Sequence, residues 1–293
     1  MGRSLFRRAA VVIGRDAALV AAGLFVIYIG LCLFMFLRQD SYVFFPDARI
    51  WATPGEEGLA YEDVRPVTAD GVSLGAWWIP CERARGSMIF AHGNGGNIGD
   101  RVEKAAFFHR LGLSILLFDY RGYGSSGGEV SEEGTYDDMA ACAAWVQDRG
   151  GGSVTPVLYY GESLGGAVVV QAALERPPDG LILDSTFTSI VDMAKRHYPW
   201  LPARWIARIH YDSLARIPSV TCPVLVMHSP EDDIVPFEMG EHLFAAAPEP
   251  KRFAAMEGDH NSGGITESPG AQRELEAFLD DVLGPIAENP EQP

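Results

Sequence analysis

Apolar positions along this chain fall into three kinds of run. The first is residues 17–37, AALVAAGLFVIYIGLCLFMFL, without one charge. At about 1.5 Å per residue a helix of this length spans roughly 30 Å, the thickness of a bilayer's hydrocarbon core. A cleaved secretory leader would have a shorter apolar run and a small-x-small site after it. Here RQDSYVFFP follows, so the pattern predicts one uncleaved N-terminal transmembrane helix. The second kind is short and unalternating: SMIFAH, LSILLFDY, TPVLYYG, GLILDS, CPVLVMHS and KRFAAM. Strands buried on both faces of a parallel sheet read this way. Between them lie segments of helical spacing, at 100–111, in SEEGTYDDMAACAAWVQDRG, in LGGAVVVQAALER, near 237–246, and from Ser268 to Leu283. Ser131 and the acids after it suit a helix start. Upstream, YEDVRPVTA and VSLGAWWIP flank Asp70-Gly71, a hairpin signal. Alternating strands and helices predict an α/β fold, a mostly parallel doubly wound sheet entered through an antiparallel hairpin.

The organisation that follows is a basic segment at 1–16, an anchor at 17–37 and a connector at 38–60. The main domain runs over 61–284, with a disordered tail over 285–293. Aromatics of the connector, in SYVFFPDARIW, are expected at the membrane interface. Residues 185–217 break the strand–helix alternation and predict a small helical cap. No internal repeat is visible.

Charge sharpens this picture. The 293 residues carry a formal net charge of −16, yet Arg3, Arg7, Arg8 and Arg15 precede the anchor with no acid among them. Only Arg38 follows closely, so the positive-inside bias predicts a cytoplasmic N-terminus and a domain on the extracytoplasmic side. An acidic body without a basic stripe argues against nucleic-acid binding. With 47% hydrophobic residues the chain can bury a core, which excludes wholesale disorder. Cys32, Cys81, Cys142 and Cys222 show neither C-x-x-C nor metal spacing, so no disulfide framework, metal site or cofactor is expected.

The chemistry concentrates in YYGESLGGAVVV, residues 159–170. Gly161-Glu162-Ser163-Leu164-Gly165 is a G-x-S-x-G motif where a strand hands over to a helix, the arrangement of a nucleophile elbow. Side chains at positions 161 and 165 would collide in so sharp a turn, and the turn presents the serine in a strained, exposed pose. A serine hydroxyl needs a base, and the base needs an orienting acid; for this elbow the chain order is Ser, acid, His. Among downstream histidines, His260 sits in the loop EGDHNSGG before the final helix. His228 ends a strand, His242 lies mid-helix, and His197 and His210 fall in the cap. For the acid, HSPEDDIVP offers Asp232 and Asp233 beside Glu231, with Asp184 a competitor at the preceding strand end; the residues alone separate Asp232 from Asp233 poorly. Two backbone amides are required for an oxyanion hole: Leu164, just after the serine, and Asn94 of the loop HGNGGN at 92–97. That loop lacks the spacing of a phosphate cradle.

Taken together, AHGNGGN, FDYRGYGSSGG, YGESLGG, SPEDDIVP and GDHN resemble the α/β-hydrolase superfamily. More narrowly, the single span, FAHGNGGNIGDR and DSTFTSIVDMAKRHYPWLP resemble the membrane-anchored serine hydrolases of the ABHD13/ABHD17 and BEM46-like group. The likeness covers roughly residues 40–283. It implies an α/β-hydrolase fold without cofactor, acting on acyl esters, lipids or acylated proteins. The family pattern H-G-x-x-D-x-x-V-P aligns its acid with Asp232, which breaks the tie with Asp233; Ser229 stands where glycine is usual. The pattern gives FDYRGYGSSGG no catalytic role, so Asp119 and Arg121 read as structural.

In an acidic body the cap carries Lys195, Arg196, Arg204, Arg208 and Arg216 among Tyr198, Trp200, Trp205 and Tyr211. It reads either as an ordinary amphipathic cap with a solvated basic face or as one docked on anionic lipid. The expected activity is ester or thioester hydrolysis on a small-molecule or lipid acyl substrate. A peptidase would share the same residues, and a non-catalytic membrane-tethered binding protein is the remaining alternative.

Overall fold

In a computed structural model the apolar blocks become the strands of one sheet. The described residues are 2–149 and 155–285, with side chains from residue 14 onward. The tail expected over 285–293 therefore lies, from 286 on, outside them, as do the side chains of Arg3, Arg7 and Arg8.

The chain enters through helix α1 (Gly2–Leu37), a short turn of helix α2 (Asp40–Val43) and a two-residue strand β1 (Phe45–Pro46). Strands β2 (Glu62–Val64) and β3 (Ala76–Ile79) form the expected hairpin, with Glu62 opposite Trp78 and a bridge between Val67 and Ser73 nearer the turn. Then come β4 (Gly86–Ala91), β5 (Gly95–Gly96), α3 (Val102–Arg110), β6 (Leu113–Phe118), α4 (Glu132–Arg149), β7 (Val157–Glu162) and α5 (Leu164–Glu175). Strand β8 (Gly180–Asp184) leads into the cap helices α6 (Ile190–His197), α7 (Ala203–Ile206) and α8 (Ser213–Arg216). The chain closes with β9 (Val224–His228), α9 (Phe237–Ala246), β10 (Lys251–Ala255) and α10 (Pro269–Leu283).

The eight-stranded sheet runs β10-β9-β8-β7-β4-β6-β3-β2, antiparallel at β2–β3 and β3–β6 and parallel elsewhere. Each inner strand feeds two cores. Ile89 and Ala91 of β4 join the cluster under α4 and α5, while Met88 and Phe90 face the one under α3 and α10. That is why these blocks show no alternation: both faces are dry. From β4 the chain crosses to β6 on one side and then to β7 on the other, so strand order reverses at the carboxyl end of β4. Open α/β sheets bind ligands in the crevice at such a switch point.

Two features extend the expectations. Helix α1 runs back to Gly2, because nothing ahead of residue 17, proline least of all, stops a helix; Gly14–Leu37 is the part long and apolar enough to cross a membrane. The connector is not a plain tether. Strand β1 pairs in parallel with β5, and Val43 and Phe44 are buried, whereas Tyr42, Phe45 and Trp51 are exposed.

Candidate active site

Strand β7 ends at Glu162 and α5 begins at Leu164, leaving Ser163 alone to make the turn. Its φ of 51° and ψ of −113° lie where a residue with a Cβ is strained. The glycines explain how the turn closes. A Cβ on Gly161 would overlap the Gly165 carbonyl, and one on Gly165 would run into the carbonyl of Ala91 at the end of β4. The strained serine is held by its own backbone: its amide donates to Asp184 O at 2.8 Å, and its carbonyl accepts from Thr186 Oγ1 at 2.6 Å. Ser163 is only 7% exposed. The sequence predicts an exposed serine; instead it lies in a cavity walled by the cap, the connector and the loops around it.

Three loops converge on this turn. His260, after β10, places Nε2 3.2 Å from Ser163 Oγ and Nδ1 2.7 Å from Asp232 Oδ2. Asp232, after β9, has a fully buried side chain; its Oδ1 accepts from the amides of Ile234 and Val235 at 3.0 and 2.7 Å. Those amides turn the carboxylate inward. Its neighbours point elsewhere. Asp233 meets only the backbone amide of His260, at 3.4 Å, and Glu231 reaches the amide of Gly258. Asp184 bonds Tyr160, Ser185 and Lys104. Burial opposes the charge on Asp232, but hydrogen bonds from His228 and His260 outweigh it and hold the carboxyl far below its ordinary pKa. Burial would likewise lower the His260 ring, yet Asp232, with help from Glu162 and Asp184, raises it. Ser229, where the family pattern has glycine, donates to Gly258 O at 2.5 Å and so ties the acid loop to the histidine loop.

The glycine-rich loop after β4 faces the same point; a Cβ on Gly93 would touch that of Ser163 at 3.6 Å. The carbonyl of Asn94 is taken by Phe45 N (3.0 Å) and Tyr123 Oη (2.8 Å), and its side chain donates to Val43 O at 3.0 Å. The carbonyl and the side chain of Asn94 are thus both held by partners. Leu164 is the first residue of α5, so its amide has no carbonyl one turn back. Asp119 accepts from Ile98 N at 2.9 Å and Tyr120 donates to His92 O at 2.8 Å, which brace the loop from below. Arg121 clamps Asp138 and Asp70, each at 2.9 Å, and does not line the cavity.

A largely buried charge cluster that the sequence did not disclose lies beside the serine. Glu162 accepts from Arg101 Nε at 2.9 Å and Lys104 Nζ at 2.5 Å, and Arg101 also donates to Gly95 O at 3.2 Å. Burial disfavours the Glu162 anion, but the two cations hold its pKa far below the carboxylate range. Arg101 thereby links the elbow to the glycine-rich loop. Lys104 also reaches Asp184; no spacing rule marks Arg101, Lys104, Glu162 and Asp184, because they meet across separate elements. Above them opens a cavity of about 790 Å³. Its floor is Ser163, His260 and Arg101, and its walls include Phe187, Met193 and Leu201 of the cap and Val43 of the connector. Among the described residues no group of three or more His, Cys, Asp or Glu could hold a metal ion.

Comparison with known proteins identifies the family and the fold. A family model described as "Hydrolase_4: Serine aminopeptidase, S33" matches residues 82–218. The chain is 40% identical over 261 residues to the "Uncharacterized protein Rv2307c" of Mycobacterium tuberculosis, covering 87% of this chain and 92% of that protein. It is 34% identical over 186 residues to the "Lysophosphatidylserine lipase ABHD12" of Macaca fascicularis, covering 57% of this chain and 46% of the lipase. The Pyrococcus furiosus esterase Pf2001 superposes with a TM-score of 0.67 at 20% identity, over 82% of this chain and all of that one, a likeness of fold.

Proposed function

The chain belongs to the α/β-hydrolase superfamily, and from that premise we propose that it is a serine hydrolase of the esterase or lipase type, cleaving carboxylic or thioester bonds of amphiphilic acyl substrates through an acyl-enzyme on Ser163. His260 Nε2 takes the proton as Ser163 Oγ attacks the acyl carbonyl. Asp232 holds the ring and stabilises the imidazolium that forms. The negative oxygen of the tetrahedral intermediate meets the amides of Asn94 and Leu164, with the positive end of α5 behind them. Collapse expels the alcohol or thiol, which His260 protonates. Water, activated by the same ring, then attacks the acyl-enzyme and frees the acid.

The observation that carries this reading is the continuous chain from Ser163 Oγ through His260 to a buried, ionised Asp232, at 3.2 and 2.7 Å. The apolar cavity walls and the lipase among the relatives support an acyl-chain substrate. A peptidase reading has the family model's description in its favour. Rates on acyl esters and thioesters set against aminoacyl amides decide between them: esters or thioesters are turned over faster under the proposal, and preference for amides contradicts it.

The proposal includes anchoring by residues 17–37, with the N-terminus cytoplasmic and the hydrolase domain on the far side. Reporter fusions test it; a cytoplasmic C-terminus contradicts it.

A further inference from the structure

Taking residues 17–37 as the bilayer-crossing segment proposed above, the way the cap packs on that helix sets the depth at which the cap lies. Tyr28, Cys32, Met35 and Gln39 are spaced four, three and four apart, one face of a helix. Cys32 and Met35 are buried, while Leu31, Leu33, Phe34 and Leu37 around them are about half exposed or more. This face meets the cap. Gln39 donates to Ile206 O at 2.6 Å and accepts from Arg208 N at 2.7 Å. Arg208 pairs with Asp40 at 3.2 Å and lies over the Phe36 ring. Lower down, Tyr28 Oη donates to Trp200 O at 3.1 Å.

The last contact fixes the register. Tyr28 lies nine residues before Leu37, about 14 Å along the axis at 1.5 Å per residue, and helical side chains lean further toward the N-terminus. Trp200 therefore sits well below the end of the charge-free run, by a distance close to half of a hydrocarbon core of about 30 Å. The local sequence fits such a place. Residues 198–206 read YPWLPARWI, with Arg204 the single charge. Trp205 is 84% exposed and Trp200 46%, apolar surface that water would oppose. Exposed Lys195, Arg196 and Arg208 flank the tip. Long cationic side chains can reach headgroups from there, and Arg204 can do the same. The cavity is continuous with this region: Met35 of the anchor and Tyr42 line it together with Tyr198, Leu201 and Ile206 of the cap.

We propose that residues 198–206 are inserted in the hydrocarbon of the leaflet the anchor crosses, and that the cavity takes a resident acyl lipid laterally from that leaflet. The occupant of the exposed aromatic tip is the bilayer itself. Insertion of this kind depends on apolar contact, so it holds in uncharged lipid.

The test uses the full chain reconstituted in neutral phosphatidylcholine vesicles, with and without bromine on the acyl chains. Residues 17–37 contain no tryptophan, so quenching by the brominated chains reports on the body. Quenching of the wild type, with most of it lost in the Trp200→Phe/Trp205→Phe double variant, is the expected result. Undiminished quenching in the double variant, or none in a wild type that stays with the vesicles through an alkaline carbonate wash, overturns the proposal. Quenching seen only with anionic lipid overturns it in favour of surface docking. Loss of protein in the wash overturns the anchor reading and this one with it. Fluorophosphonate labelling of Ser163 in the same vesicles reports independently on the hydrolase reading and shows that the double variant is folded.

Discussion

The two sides of the cavity are built on opposite principles. On the floor, Ser163, His260, Asp232 and the loop at 92–97 are fixed by polar contacts: backbone amides on Asp232, Ser229 tying two loops, and three separate bonds on Asn94. The wall made by the anchor end and the cap is mostly apolar, its polar contacts gathered around Gln39, Asp40 and Arg208, with several large side chains facing outward. A catalytic floor must hold atoms to fractions of an ångström, since geometry is what lowers the barrier. A wall that receives acyl chains needs area and shape instead. Polar order and apolar tolerance are therefore segregated within a few residues of each other, and substitutions on the two sides should differ in kind.

The largest effect is expected at the nucleophile and base. Ser163→Ala or His260→Ala should each lower kcat on a short-chain ester by a factor on the order of 10⁶; a loss below tenfold would break the floor's assignment. Asp232→Asn should cost about 10⁴, because the ring loses its orienting charge while its geometry survives.

That same variant sharpens the electrostatics. Asp232 raises the His260 pKa above the ordinary value of 6.5. The base works neutral, so wild-type kcat/KM should rise with pH through an apparent pKa above that value. Below it, activity should fall about tenfold per pH unit. In Asp232→Asn the acid limb should move to lower pH; an unmoved limb contradicts the assignment of the charge.

Glu162→Gln tests the buried cluster by stability. It leaves Arg101 with the longer contact to Asp100 and Lys104 with Asp184, so the two cations are under-compensated in a largely buried place and the loss should approach, from below, the roughly 3–5 kcal/mol of a broken buried pair. Denaturant unfolding near neutral pH reads this directly. Because the folded pKa of Glu162 is depressed, the wild-type advantage is full above the unfolded value of 4.5 and shrinks as pH falls toward the folded one. The smallest effect is expected at Tyr123→Phe, which removes one hydrogen bond to the Asn94 carbonyl. About 1 kcal/mol, or roughly fivefold in kcat/KM, should be lost, with KM little changed.

These two sides also differed in how far the sequence revealed them. Ser163 was legible because the elbow forces glycine at fixed offsets on either side, a constraint written in three letters. The strands of the sheet were legible because burial on both faces leaves no polar alternation. Asp232 and Asp233 were not separable from their residues, since the choice depends on which carboxylate the amides of Ile234 and Val235 capture. Strand β1 is two residues long and has no period to read, so the connector's docking on the 92–97 loop was invisible. The cluster of Glu162, Arg101, Lys104 and Asp184 joins residues up to 83 positions apart, and only the switch point in strand order brings them together. The cap's contacts with α1 depend on helix register, which hydropathy does not encode.

The central claim is that Ser163 carries the acyl group. Its most direct measurement is mass mapping of the folded wild-type protein after reaction with a fluorophosphonate. The account predicts a single adduct on the peptide containing Ser163, absent from Ser163→Ala; an adduct elsewhere, or an unmodified Ser163 in folded protein, would contradict it.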